Sequence, residues 1–114
     1  MKQLPNHQNA LIPKPKIVEY LLSEANSGGK SAFFVRFGFS EGDWIRLYDA
    51  LLEHAKVSQL VKSEQSVFGT RYVVEGPLAT PSGRLPWLRS VWFISKGEAV
   101  PRLVTAYPIR REVQ

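Results

Sequence analysis

The chain has 114 residues, 44% of them hydrophobic and 22% charged, which fits one folded domain and excludes a disordered chain. Cysteine is absent, which removes disulfides, thiolate catalysis, sulfur-held zinc and iron–sulfur clusters. The net charge is +5 and uneven: residues 1–56 carry seven Lys/Arg against six Asp/Glu, and residues 57–114 carry eight against four.

Residues 1–15 hold Pro5, Pro13 and Pro15, which bars a continuous helix and predicts an extended lead-in packed through Leu4, Leu11 and Ile12. From Lys16 to Glu24, Ile17, Tyr20, Leu21 and Glu24 have helical spacing, and Pro15 suits a first turn. Asn26-Ser27-Gly28-Gly29 breaks that helix. In the segment from Lys30 to Phe37, Phe33, Phe34 and Phe37 fit a short helix stopped by Gly38, with a strand as the alternative. Ser40 followed by Asp43 resembles a capping box, and Trp44, Ile45, Leu47, Tyr48, Leu51, Leu52 and Ala55 form an apolar stripe. These residues predict a helix from Glu41 to Lys56.

Beyond Lys56 the periodicity is that of strands. A short strand is expected over Gln59 to Ser63 and a longer one over Thr70 to Leu78, where Tyr72, Val74 and Leu78 share one face and Arg71, Val73 and Glu75 the other. Gly76 marks a bulge or a close approach. Thr80-Pro81-Ser82-Gly83 reads as a turn. Trp87 to Ser95 and Arg102 to Tyr107 read as strands, separated by a turn at Lys96-Gly97-Glu98. The expected fold is α+β in a single domain: a lead-in over residues 1–15, a helical half over 16–56 and an antiparallel sheet of about four strands over 57–114. The core is expected to join the stripe of the long helix to Val91, Phe93 and Leu103.

The excess charge lies on the sheet half, where Arg71, Arg84, Arg89, Arg102, Arg110 and Arg111 make six of the eight cations. A guanidinium offers a planar fork matched to phosphate, so this half is the expected surface for RNA or for an acidic protein. Arg71, Arg84 and Arg102 are the candidate nucleic-acid contacts. With only His7 and His54 there is no multi-histidine metal site, and neither metal nor cofactor is expected. No stretch approaches the roughly 20 apolar residues of a membrane span. Met1 to Lys16 lacks the apolar segment of a secretory signal, so a cytoplasmic location is expected.

Asp49 and Glu53 stand four apart on one helix face and read as a solvated surface. Glu75 is either a general base or a surface strand residue. His54 lies near the end of the long helix, where it is either a capping group or a general acid or base. Ser27-Gly28-Gly29-Lys30 lacks the spacing of an ATP-binding loop. It reads as a helix–helix turn, or as a loop presenting Lys30 to one phosphate. Thr105 and Tyr107 share one face of the last strand, within reach of Arg89 if the register permits. Such a set is what metal-free RNA cleavage needs: one group takes the 2′-OH proton, another protonates the leaving oxygen, and cations stabilise the phosphorus. The alternative for Tyr107 is an amphipathic edge of the core.

The segments Leu4-Pro5-Asn6, Tyr20-Leu21-Leu22, Gly29-Lys30, Asp43-Trp44, Ala50 to Ala55, Val74-Glu75-Gly76-Pro77-Leu78, Val91-Trp92-Phe93-Ile94 and Thr105-Ala106-Tyr107-Pro108 carry a resemblance. It is to an uncharacterised bacterial domain family associated with toxin–antitoxin and polymorphic-toxin loci. At a coarser level, helices followed by a four-stranded sheet resemble the barnase–EndoU–colicin–RelE-like group of metal-free RNases and toxins. The resemblance implies a metal-independent endoribonuclease-like toxin domain. Lys30 and Arg89 would carry charge, Tyr107 and Thr105 would transfer or position protons, and His54 is a candidate acid or base. Related toxin domains often carry a histidine before the Gly-x-x-Lys segment, and here Ser23 to Lys30 contains none. That departure points to the rival reading, a non-enzymatic antitoxin or partner-binding module that holds its cognate acidic protein on the basic sheet.

Overall fold

A computed structural model describes residues 2–110. The N-terminal half contains α1 (Lys14–Lys16), a π-turn (Ile17–Leu21), α2 (Lys30–Arg36) and α3 (Trp44–Val57), with 3-10 turns at His7–Asn9 and Glu41–Asp43. Four strands follow: β1 (Gln59–Ser66), β2 (Gly69–Pro77), β3 (Trp87–Ser95) and β4 (Arg102–Pro108). They pair antiparallel in chain order. The fold is therefore α+β, with helices first and a meander second.

Local chemistry explains the boundaries. Pro15 sits in the first turn of α1, where its missing N–H costs nothing. The helix expected from Lys16 begins at Lys14, ends at Leu21 and changes its winding, with Leu22 N–H donating to Ile17 O at 2.8 Å. The segment from Lys30 is a helix rather than a strand, and Gly38 ends it at φ 101°. The capping box expected at Ser40 and Asp43 is absent: Asp43 N–H bonds the Ser40 carbonyl at 3.2 Å, and a 3-10 turn precedes α3.

The core lies between α3 and one face of the sheet. Leu47, Leu51 and Ala55 join Val74, Leu88, Trp92, Leu103 and Ala106 in one buried cluster, to which the lead-in adds Leu4 and Ile12. Of the three sheet residues expected there, only Leu103 belongs to this cluster. Trp92 pairs with Tyr72 in the register, so Val91 (opposite Val73) and Phe93 (opposite Arg71) point the other way. The register slips between Val91 and Trp92, which lets Leu103 and Ala106, three residues apart, both reach the core. Gly76 is a close approach, since a Cβ there would stand 2.7 Å from the Ser58 Cβ. The lead-in covers the start of β4: Leu103 N–H donates to Leu11 O at 3.1 Å, and Leu11 N–H to Pro101 O at 2.8 Å.

Candidate functional site on the open face of the sheet

The face of the sheet turned away from α3 carries its side chains in cross-strand rows fixed by the register. One row runs Gln59, Glu75, Arg89, Tyr107 from β1 to β4. The next runs Lys62, Val73, Val91, Thr105, and the third Glu64, Arg71, Phe93, Arg102. Val73 and Val91 are buried at 6% and 0% exposure, so the middle row is an apolar floor beneath charged neighbours. A groove of about 340 Å³ lies over it, lined by Val61, Lys62, Arg71, Val73, Glu75, Arg89 and Tyr107.

Arg89 is the hub of the first row. Its Nε and Nη2 donate to Glu75 Oε2 at 2.7 and 2.6 Å, and its Nη1 donates to the Tyr107 hydroxyl at 3.2 Å. The guanidinium carbon also lies 5.6 Å from the centre of the Tyr107 ring. The bond to Tyr107, then that to Glu75, raises the Arg89 pKa above its ordinary value, so the charge is permanent. Both glutamates on the face hold cations, since Glu64 pairs with Lys62 at 3.4 Å and with Arg71 at 3.3 Å.

Thr105 ends the middle row and passes it to a residue that spacing did not reveal. Its hydroxyl lies 2.9 Å from the Tyr20 hydroxyl, reached from the π-turn. Lys16 and Lys30 stand over the Tyr20 ring at 5.1 and 5.6 Å from its centre. The Thr105 hydrogen bond lowers the Tyr20 pKa below its ordinary value; burial opposes this, and Lys30 and Lys16 add to the lowering. Lys30 is anchored by donation from its Nζ to Ser27 O at 3.2 Å. Gly28 and Gly29, at φ 64° and 92°, make the turn that delivers it. Tyr20 escaped the sequence reading because its helical spacing with Ile17 and Leu21 marked it as core.

The candidate residues therefore divide. Arg89 and Tyr107 meet on the open face, Thr105 lies two residues from Tyr107 on the same side of β4, and Lys30 connects to Thr105 through Tyr20; Arg71 and Arg102 lie on the same face. Arg84 lies apart, in the turn before β3, where its carbonyl accepts from Thr80 Oγ1 at 2.7 Å. Asp49 and Glu53 are exposed on α3.

His54 is 1% exposed and is built into the core. Its Nδ1 lies 3.0 Å from Ser90 Oγ, and its Nε2 lies 3.1 Å from both the Gly76 and Leu88 carbonyls. These contacts join the last turn of α3 to β2 and β3 through a ring buried in the core. Burial lowers its pKa, so the unfolded chain takes up the proton first as pH falls. The stability tied to neutral His54 is complete above the unfolded pKa of about 6.5 and is lost as pH falls towards the lower folded value. Thermal midpoints measured from pH 8 to 5 are expected to drop below about 6.5, and His54→Gln is expected to flatten that step. A flat wild-type profile would contradict the burial argument.

A helical layer behind an antiparallel meander whose free face is charged is the class this fold and face define. The chain belongs to the family described as a domain of unknown function, DUF6883, whose sequence pattern matches residues 3–110. Its fold is similar to that of a solved structure described as a contact-dependent growth inhibition toxin–immunity protein complex from Klebsiella pneumoniae 342. The TM-score is 0.73 at 20% identity, over 92% of this chain and 97% of that chain. The likeness is one of fold. No curated protein matches the chain. Among the described residues, no helix is long and apolar enough to cross a membrane.

Proposed function

We propose that the chain is a metal-independent RNA-cleaving toxin domain whose site is the open face of the sheet. The observation that carries this reading is the Glu75–Arg89–Tyr107 row, which aims a fixed cation and a phenolic proton donor at one surface. Glu75 holds the guanidinium, Arg89 balances charge on the phosphorus, and Tyr107 protonates the leaving 5′-oxygen. Thr105 stands in the next row of β4, and Lys30 is linked to it through Tyr20. Arg71 and Arg102 flank Phe93 in the register, a pattern suited to a single strand with one base on the ring and phosphates on the guanidinium groups. In this reading Arg71, Arg89 and Arg102 of the open face meet the phosphate charge. The similar fold in a toxin–immunity protein complex supports a toxin or immunity setting.

A second reading has its own observation. Glu64 and Glu75 pair with Lys62, Arg71 and Arg89, which reduces the charge available to a polyanion. With no histidine in the Ser23 to Lys30 segment, this favours a partner-binding module of the immunity or antitoxin kind. Incubation of the purified protein with varied RNAs in EDTA separates the two. The RNase reading expects cleavage that weakens steeply as salt rises, because phosphate contacts release counterions. No cleavage with or without added metal, together with tight binding of a protein partner, would establish the second.

A further inference from the structure

We propose that Tyr20 is the second proton-transfer group of this site, the base that accepts the 2′-hydroxyl proton of the ribose, an inference that rests on the RNA-cleavage reading. Four observations converge on it. The Tyr20 hydroxyl meets Thr105 at 2.9 Å, and Thr105 lies two residues from Tyr107 on the same side of β4. Two residues of strand span about 7 Å. That rise sets the Tyr20–Thr105 pair and Tyr107 next to one another on one side of β4, as two groups acting on one phosphodiester must be, each with a hydrogen-bond reach of about 3 Å.

The charges around the ring are of one sign. Those acting on Tyr20 are Lys16 from α1 and Lys30 from α2, and its partner from β4 is the neutral Thr105. The Thr105 hydroxyl, which can donate to the phenol oxygen, and then the two ammonium groups ease loss of the phenolic proton, and they lower the Tyr20 pKa. Finally, Tyr20 sits in the π-turn, a rare winding that occurs often at functional sites.

The step balances without a co-reactant. The Tyr20 phenolate takes the proton from O2′, and O2′ forms a bond to phosphorus. The bond from phosphorus to O5′ breaks, and Tyr107 gives its proton to O5′. The products are a 2′,3′-cyclic phosphate and a 5′-hydroxyl. Tyr20 is left protonated and Tyr107 ionised, and exchange with water restores both. Lys30 and Arg89 carry the charge on the non-bridging oxygens.

Tyr20→Phe keeps the ring and removes the hydroxyl. Cleavage is expected to fall by about 100-fold or more at an unchanged thermal midpoint. The rise of rate with pH that Tyr20 governs is expected to disappear. A wild-type rate in Tyr20→Phe, or a uniform loss with an unaltered pH profile, would overturn the assignment. Titration of the four tyrosines by carbon-13 NMR is a readout independent of RNA. One resonance, missing in Tyr20→Phe, is expected to titrate below the ordinary tyrosine range and to move up in Lys30→Gln. Ordinary titration of Tyr20 alongside intact wild-type cleavage would overturn this inference alone. Absence of cleavage by the wild type would overturn the reading beneath it.

Discussion

Arg89→Met is expected to lower RNA cleavage by roughly two to three orders of magnitude, the usual effect of removing one preorganised donor from a developing negative charge. Arg89 holds three donor atoms in one plane, two on Glu75 and one on Tyr107. Arg89→Lys keeps the charge but loses the fork, so it is expected to recover little activity. Glu75→Gln keeps the cation and removes the carboxylate that orients it, and an intermediate loss is expected. Tyr107→Phe retains the ring under the guanidinium and removes only the hydroxyl, which also accepts from Arg89 Nη1. Loss of cleavage there at an unchanged thermal midpoint would place the phenol in the reaction. Full activity in Tyr107→Phe would remove it. Single-turnover rates measured with the midpoints of all four variants decide between chemistry and packing.

Legibility in the sequence followed the range of the interactions. The strands over Trp87 to Ser95 and Arg102 to Tyr107 were readable because alternation and turn residues are local signals. Gly38 marked the end of α2 for the same reason. The outward direction of Val91 and Phe93 was not readable. Val91 is buried on the open face beneath long charged neighbours, so burial and hydrophobicity did not report which face it takes. The place of His54 in the last turn of α3 is readable, but that position says nothing about Ser90, 36 residues away, which meets its ring. The link between Arg89 and Tyr107 depends on register, which the antiparallel pairing of β3 with β4 supplies. The bond from Tyr20 to Thr105 spans 85 residues and had no local signal.

Leu51→Ala is expected to destabilise the protein by about 2–5 kcal/mol, the range for truncating a fully buried leucine. Leu51 has 0% exposure and shares its cluster with Trp92, Leu103 and Ala106, the inward residues of β3 and β4. Those inward residues alternate with the outward ones: Ala106 lies between Thr105 and Tyr107, and Trp92 between Val91 and Phe93. Trp92 Nε1 also donates to Ser90 Oγ at 2.9 Å, the same hydroxyl that meets His54. A cavity under this layer can relax only by moving strands that carry the open face, since interiors are packed to crystal-like density. Ile45→Ala is the control: Ile45 belongs to the predicted apolar stripe but is 53% exposed, and its change is expected to stay within about 0.5 kcal/mol. Urea unfolding of the two variants measures the difference. Equal effects at both positions would mean that α3 does not bury the face described here. A large loss confined to Leu51→Ala would fix α3 as the support behind the strands of the site.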